Sequence, residues 1–183
     1  MFKRILVAVD GSPASNAGLK SAATLAADQH AMLRALHVVD DSPMAVTFDG
    51  SYLPADYVDN FYESLRENGR NILAKAAAFA QGSSVEFKPV LVEARGRTVA
   101  DAIVQQARKL KADVIVLGTH GRRGLRRVLM GSDAEAVVRE AHVPVLLVRA
   151  PEHAKRKSRA SAKRAAPARA TRPSASASSR AAA

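Results

Sequence analysis

The chain has no cysteine, which excludes disulfides, a thiol nucleophile and thiolate metal ligation. It also lacks a long hydrophobic run near its start. The first apolar stretch, Ile5 to Val9 behind the basic Met1 to Arg4, is five residues long and ends at Asp10. That is too short for a signal-peptide core or a membrane span, so a cytoplasmic protein with no membrane partner is expected. No Gly-Lys-Ser/Thr and no GxGxxG occurs, which sets aside a Walker A loop and the dinucleotide fingerprint. The five histidines, His30, His37, His120, His142 and His153, include no pair at the spacing of a helical metal site. His37 reads as a packed strand residue. The serines and aspartates form neither a nucleophile elbow nor a triad. With no general base placed to activate water, no efficient catalysis is expected, and at most slow turnover.

Acidic residues are also few, 17 against 28 lysines and arginines, for a net charge of +11. The excess is uneven. Residues 151–183 carry nine Lys/Arg and one acid, Glu152, a net +8 that leaves +3 for the first 150 residues. This terminal stretch has no aromatic residue and no Leu, Ile, Val or Met. It cannot bury enough apolar surface to offset the entropy of ordering. A folded domain over 1–149 and a disordered basic tail over 150–183 are therefore expected. The run Lys155 to Arg159, followed by Lys163, Arg164, Arg169, Arg172 and Arg180, resembles the tails of linker-histone-like proteins. Without aromatics to stack on bases, such a segment, 155–180, would bind DNA or RNA independently of sequence and with steep salt dependence. A merely solubilising tail is the alternative.

Within the body, strand and helix patterns alternate. Residues 3–9 are a nearly continuous apolar run, as expected of a strand buried on both faces. Ser12-Pro13 supplies an N-cap and a first-turn proline. Leu19, Ala22, Ala23 and Ala26 then mark a helix with a small apolar face. A second strand over 32–39 leads into a long loop, 40–56, read as a packed surface loop or as a flap over a ligand or a dimer contact. A second helix over 55–80 carries the stripe Phe61, Leu65, Ile72, Ala76, Phe79. A third strand covers 85–92. Thr98 and Asp101 stand at capping-box spacing before a third helix with the stripe Val99, Ala102, Ile103, Ala107, Leu110. A fourth strand, 113–117, a glycine-rich segment, a fourth helix with Ala134, Val137, Val138 and Ala141, and a fifth strand, 143–148, complete the body. Five strands alternating with four helices predict an α/β fold with a parallel sheet.

The glycine-rich segment, 118–132, carries the chemistry. It holds Gly118, Gly121, Gly124 and Gly131 with Arg122, Arg123, Arg126 and Arg127. Glycines let backbone N–H groups approach a ligand, and a following helix N-terminus attracts anions. Arginines add charge-assisted donors. Ser132 and Glu135 stand at capping-box spacing. The stretch reads as a phosphate cradle, with a turn, a helix cap and a solvated basic face as the alternative.

The spacing Gly118, two residues, Gly121, nine residues, Gly131-Ser132 resembles the nucleotide-binding signature of the universal stress protein family. The first strand with Asp10-Gly11-Ser12 and the closing strand, 143–148, extend the resemblance over residues 1–149. The resemblance implies an adenine-nucleotide alpha-hydrolase-like fold, a doubly wound five-stranded parallel sheet of order 3-2-1-4-5 with four helices. It implies a stress-response signalling module that binds ATP, AMP or a cyclic nucleotide, with Mg²⁺ as a companion ion, and that forms a homodimer through the Val143–Val148 strand. Position by position, Asp10 would lie near ribose and phosphates, through Mg²⁺. The backbone of Val38 or Val39 would meet adenine. Gly118 and Gly121 would line sugar and phosphates, and Arg122, Gly131 and Ser132 would meet the phosphate tail. His120, inside the segment, would touch phosphate or ribose or serve as loop filler. Asp133 departs from the family, which often has an apolar residue there. It suits a helix N-terminus and repels a phosphate.

Overall fold

The computed structural model describes residues 1–41, 47–48, 51–52, 54–82, 85–119 and 130–150. Their elements, in chain order, are β1 (Arg4–Ala8), α1 (Pro13–Gln29), β2 (Met32–Val39), β3 (Thr47–Phe48), β4 (Ser51–Tyr52), α2 (Ala55–Ala80), β5 (Phe87–Glu93), α3 (Val99–Lys109), β6 (Val114–Gly118), α4 (Ser132–Glu140) and β7 (Val145–Val148). The long strands make one all-parallel sheet in the order β5-β2-β1-β6-β7. Counting long strands alone, this is 3-2-1-4-5, the order that the resemblance implies.

Alternate residues of a strand face opposite sides, and both sides are buried here. On one side, Ile5, Val7, Leu33, Ala35, Val114 and Val116 pack against Leu19, Ala22, Ala23 and Ala26 of α1 and Ile72, Leu73 and Ala76 of α2. On the other, Leu6, Leu36, Ile115 and Leu117 pack against Ala100, Ile103, Val104 and Ala107 of α3 and Ala134 and Val137 of α4. This double burial is why β1 and β6 read as unbroken apolar runs. At one sheet edge, β5 carries Pro89, which has no N–H to offer a further strand.

Several local expectations are met and several are corrected. Ser12 caps α1, its Oγ accepting from Ser15 N–H at 3.1 Å, with Pro13 in the first turn. Thr98 and Asp101 form the expected capping box on α3. In α2 the stripe ends on Ala80, which is buried, while Phe79 is 47% exposed. Over a helix of 26 residues the contact face drifts, so the last turn presents the neighbouring position. In α4 Val138 is exposed, and Ala134 and Val137 carry the packing. The closing strand starts at Val145, after Pro144, whose carbonyl accepts from Ile115 N–H at 3.0 Å. The 40–56 stretch is not a plain loop: β3 and β4 pair antiparallel, Thr47 with Tyr52 and Phe48 with Ser51. Strands of two residues are too short to show a period of two. Residues 42–46, 49–50 and 53 of that stretch, and the tail from 151, lie outside the described residues.

The start of the sheet is held by one carboxylate. Asp113 Oδ2 accepts from Lys3 N–H and Arg4 N–H, each at 2.8 Å, and its Oδ1 pairs with the Arg4 guanidinium at 2.9 Å. Arg4 Nε also donates to the Lys111 carbonyl. Burial alone would raise the Asp113 pKa. The two backbone N–H groups and Arg4 outweigh it and hold the carboxyl below its ordinary value. Because the folded-state pKa is lowered, the stabilisation is present above the unfolded Asp value of about 3.9 and disappears as pH falls through the folded value. Asp113→Asn should therefore cost about 1–2 kcal/mol near neutrality. Denaturant melts of both proteins should show that gap closing as pH drops below about 4; a gap independent of pH would count against the ionised carboxylate as its source.

Gly118, at the end of β6, makes a second fold-level prediction. A Cβ there would lie 2.6 Å from Ala14 C and 2.7 Å from Ser15 N, both backbone atoms of α1. Neither can move without shifting the helix. Gly118→Ala should destabilise by on the order of 2–3 kcal/mol, read as a lower urea midpoint with an unchanged slope.

Candidate functional site

In this sheet the chain runs from β1 to β2 on one side and from β6 to β7 on the other, so the strand order reverses between β1 and β6. Open α/β sheets bind ligands beyond the carboxyl ends of strands at such a point. A crevice open to solvent lies there.

Its centre is the turn after β1. Gly11 has φ +80, a conformation that disfavours any side chain. The turn lets Asp10 fold over the start of α1, with Oδ1 accepting from Ser12 N–H at 2.9 Å. Asp10 N–H donates to Ser15 Oγ at 3.3 Å, and Ser15 Oγ donates to the Ser12 carbonyl at 3.1 Å. Asp10 thus lines the crevice in a fixed orientation while also bracing the first helix.

Toward β2 the lining is mostly apolar, Leu36 and Val38 with Val99 and Ile103 of α3. Toward β6 it is mixed, Leu117 and Ala134 beside Gly118, Thr119, Gly131 and Asp133. Thr119 N–H donates to the Val148 carbonyl at 2.9 Å and Gly131 N–H to the Thr119 carbonyl at 2.8 Å. Thr119 and Gly131 are therefore held together beyond the end of β6. His37 forms part of the floor. It is 7% exposed, and its Nδ1 lies 2.7 Å from the Val9 carbonyl, which can only accept, so Nδ1 donates.

Four of the residues singled out from the sequence, Asp10, Val38, Gly118 and Gly131, line this crevice. Val39 is buried and does not line it; its carbonyl accepts from Ala94 N–H at 3.0 Å. Ser132 does not line it either, and Asp133 does. The expected cap of α4 is corrected. Gly131, in extended geometry at φ −73 and ψ 152, is the N-cap, Ser132 is the first helical residue, and no side chain caps this end. The Gly131–Thr119 hydrogen bond holds Gly131 extended, which moves Ser132 one position into the helix. His120, Gly121 and Arg122, with Arg123, Arg126 and Arg127, lie outside the described residues. Ser12, Ser15, Leu36, Val99, Ile103 and Thr119 were not singled out as site residues. Their sequence signals were those of a helix cap and of core stripes, which say nothing about which core position opens onto a crevice.

Among the described residues no group of three or more His, Asp or Glu could hold a metal ion. Asp10 and Asp133 are the carboxylates that the crevice presents. Such a set fits Mg²⁺ bound chiefly by ligand phosphates and water with one or two carboxylates, which is its usual mode beside nucleotides. A third acid, Glu93 at the end of β5, is engaged elsewhere. The Arg66 guanidinium, 2.7 Å away, holds it ionised below the usual carboxylate range. No helix among the described residues is long and apolar enough to cross a membrane.

Comparison with known proteins agrees with this geometry. The model of the universal stress protein family matches residues 1–149. A universal stress protein of Methanocaldococcus jannaschii is 37% identical over 153 residues, covering 83% of this chain and 85% of the relative. A crystal structure of a family protein from Burkholderia pseudomallei is 36% identical, with a TM-score of 0.62 over 80% of this chain and 95% of that one. A universal stress protein solved in complex with cAMP is 25% identical, with a TM-score of 0.60 over 82% of this chain and 99% of that one. With Gly118 at the end of β6, where the strand order reverses, and relatives aligned along the folded body, the chain belongs to the universal stress protein family.

Proposed function

We propose that the crevice binds ATP or a related adenine nucleotide and that the protein acts through this ligand as a dimeric stress-response module, not as a fast enzyme. The observation that carries the reading is a crevice at the reversal of the strand order that joins an apolar surface, Leu36, Val38, Val99 and Ile103, to Thr119 and the glycines Gly118 and Gly131. An adenine ring is flat and largely apolar on its faces; a phosphate seeks backbone N–H groups and helix starts. The base would lie over Leu36 and Val38, with the Val38 backbone at its edge, the ribose near Asp10, and the phosphates toward Gly118 and Gly131. Mg²⁺, where present, would bring charge neutralisation to the phosphates, with Asp10 as its protein ligand. The relative solved with cAMP supports the ligand class. Half-exposed Leu146 and Leu147 on the edge strand β7 support self-association there, since apolar edges are usually covered or paired. We place the protein in the cytoplasm.

Calorimetric titration with ATP and with cAMP tests the reading. Gly131 has a φ open to any residue, so Gly131→Val should fold, with an unchanged circular dichroism spectrum. Its added side chain should weaken nucleotide binding by at least about tenfold, or ~1.4 kcal/mol. Unchanged affinity in the folded variant would remove the crevice as the binding site.

A second, separable activity is supported by the net +8 of residues 151–183: non-specific binding of DNA or RNA through counterion release. The full chain should retard duplex DNA at low salt, and a truncation ending at Arg149 should not, with equal ATP affinity in both. Equal retardation by the two proteins would assign the tail no such role.

A further inference from the structure

We infer that His37 is a positioning residue of the crevice: it ends the β1–β2 ladder one rung early and so leaves the backbone N–H and C=O of Val38 to read the edge of the base. This rests on the adenine-nucleotide reading above. In a parallel ladder the N–H and C=O of one residue serve the same neighbouring strand, and successive residues serve opposite neighbours. Leu36 serves β1, its carbonyl accepting from Val9 N–H at 2.8 Å, and Val39 serves β5, its carbonyl accepting from Ala94 N–H at 3.0 Å. By this alternation Val38 faces β1. The next rung would take Val38 N–H to the Val9 carbonyl, but the pairing of the two strands stops at Ala8 and Leu36. The Val9 carbonyl goes instead to His37 Nδ1, 2.7 Å away. Beyond it the chain turns off the sheet at Gly11, φ +80. Among the described residues no backbone group takes up the Val38 N–H or C=O on the β1 side, and Val38 lines the crevice.

The ring is held in place from behind. A Cβ at Gly69, in the interior of α2, would lie 2.7 Å from His37 Cδ2. Glycine weakens a helix relative to alanine, and here it makes room for the imidazole. The consequence is a matter of donors and acceptors. One N–H beside one C=O matches the edge of adenine, whose N1 accepts and whose 6-amino group donates. Hypoxanthine reverses both, since its N1–H donates and its 6-oxo group accepts. It would set donor against donor, a mismatch that a hydrogen-bonding site rejects strongly. Without the Nδ1 donor, the carbonyl of buried Val9 would take the Val38 N–H as the next rung of the ladder, and the base would lose its donor.

The test is calorimetric titration of the full chain with ATP and with inosine triphosphate, which differ only at the Watson–Crick edge of the base, for the wild type, His37→Asn and His37→Gln. An asparagine amide can place an N–H where Nδ1 stands; glutamine reaches the place of Nε2 and leaves that of Nδ1 empty. Melting curves check that both variants fold. The wild type should prefer ATP by at least about tenfold, and His37→Asn should keep that preference to within about twofold. His37→Gln should lose about fivefold in ATP affinity, the scale of one hydrogen bond, with the inosine nucleotide changed by less than about twofold. A folded His37→Gln with the wild-type preference, or equal behaviour of the two variants, would overturn the role of Nδ1. Amide hydrogen exchange on the wild type needs no variant. Val9 N–H, in the ladder, should be protected without ligand, Val38 N–H should exchange rapidly, and ATP should slow it. A Val38 amide that is protected without ligand, or unaffected by ATP, would overturn the inference even if neither variant folds. A wild type that binds both nucleotides equally would overturn this inference alone, and one that binds neither would overturn the adenine-nucleotide reading with it.

Discussion

The backbone of α1 touches the backbone of β6 at Gly118, with room for no Cβ between them. This contact sets the depth at which α1 sits on the sheet. Gly18, on the facing turn of the helix, continues it, since a Cβ there would be 3.5 Å from Gly118 N. The small face of α1, Ala22, Ala23 and Ala26, keeps the same short distance further along. Because α1 starts immediately after β1, its depth also fixes where Asp10, Ser12 and Ser15 stand relative to Gly118 and Thr119. The crevice is thus a by-product of tight helix–sheet packing, and a glycine that looks like a ligand-facing residue is first a packing residue.

Charge is distributed to match. At the amino ends of the strands, Asp113 uses both oxygens to gather Lys3 and Arg4. Beside β5, Arg66 links α2 to Glu93 and to Glu63. These acids are held by cations or backbone donors and serve the fold. Asp10, after β1, and Asp133, in the first turn of α4, line the crevice at the carboxyl ends of the strands.

Much of this was legible before the structure. The apolar run of β1 announced a strand covered on both faces, and Ser12-Pro13 and Thr98-Asp101 announced the starts of α1 and α3. Asp10, Gly118 and Gly131 stood out through residue type and spacing, and all three line the crevice. The β3–β4 hairpin was missed because two-residue strands carry no periodicity. The choice between Val38 and Val39 was open because both are apolar in one strand. Val38 lines the crevice and Val39, on the opposite face of the strand, does not.

By itself, the sequence determined the alternation of strands and helices, the division of charge between body and tail, and the placing of turn-forming glycines after β1 and β6. Those properties depend on residues near one another in the chain, through backbone preference, periodicity and composition. Only the tertiary structure decided that Ile103 of α3, Thr119 beyond β6 and Asp133 of α4 share one crevice with Asp10. It alone decided that Gly131, not Ser132, caps α4, since a hydrogen bond from Gly131 to Thr119 holds that residue extended. Such contacts join residues far apart in sequence, and their geometry is set by how closely helices can approach the sheet, a quantity that no local pattern encodes.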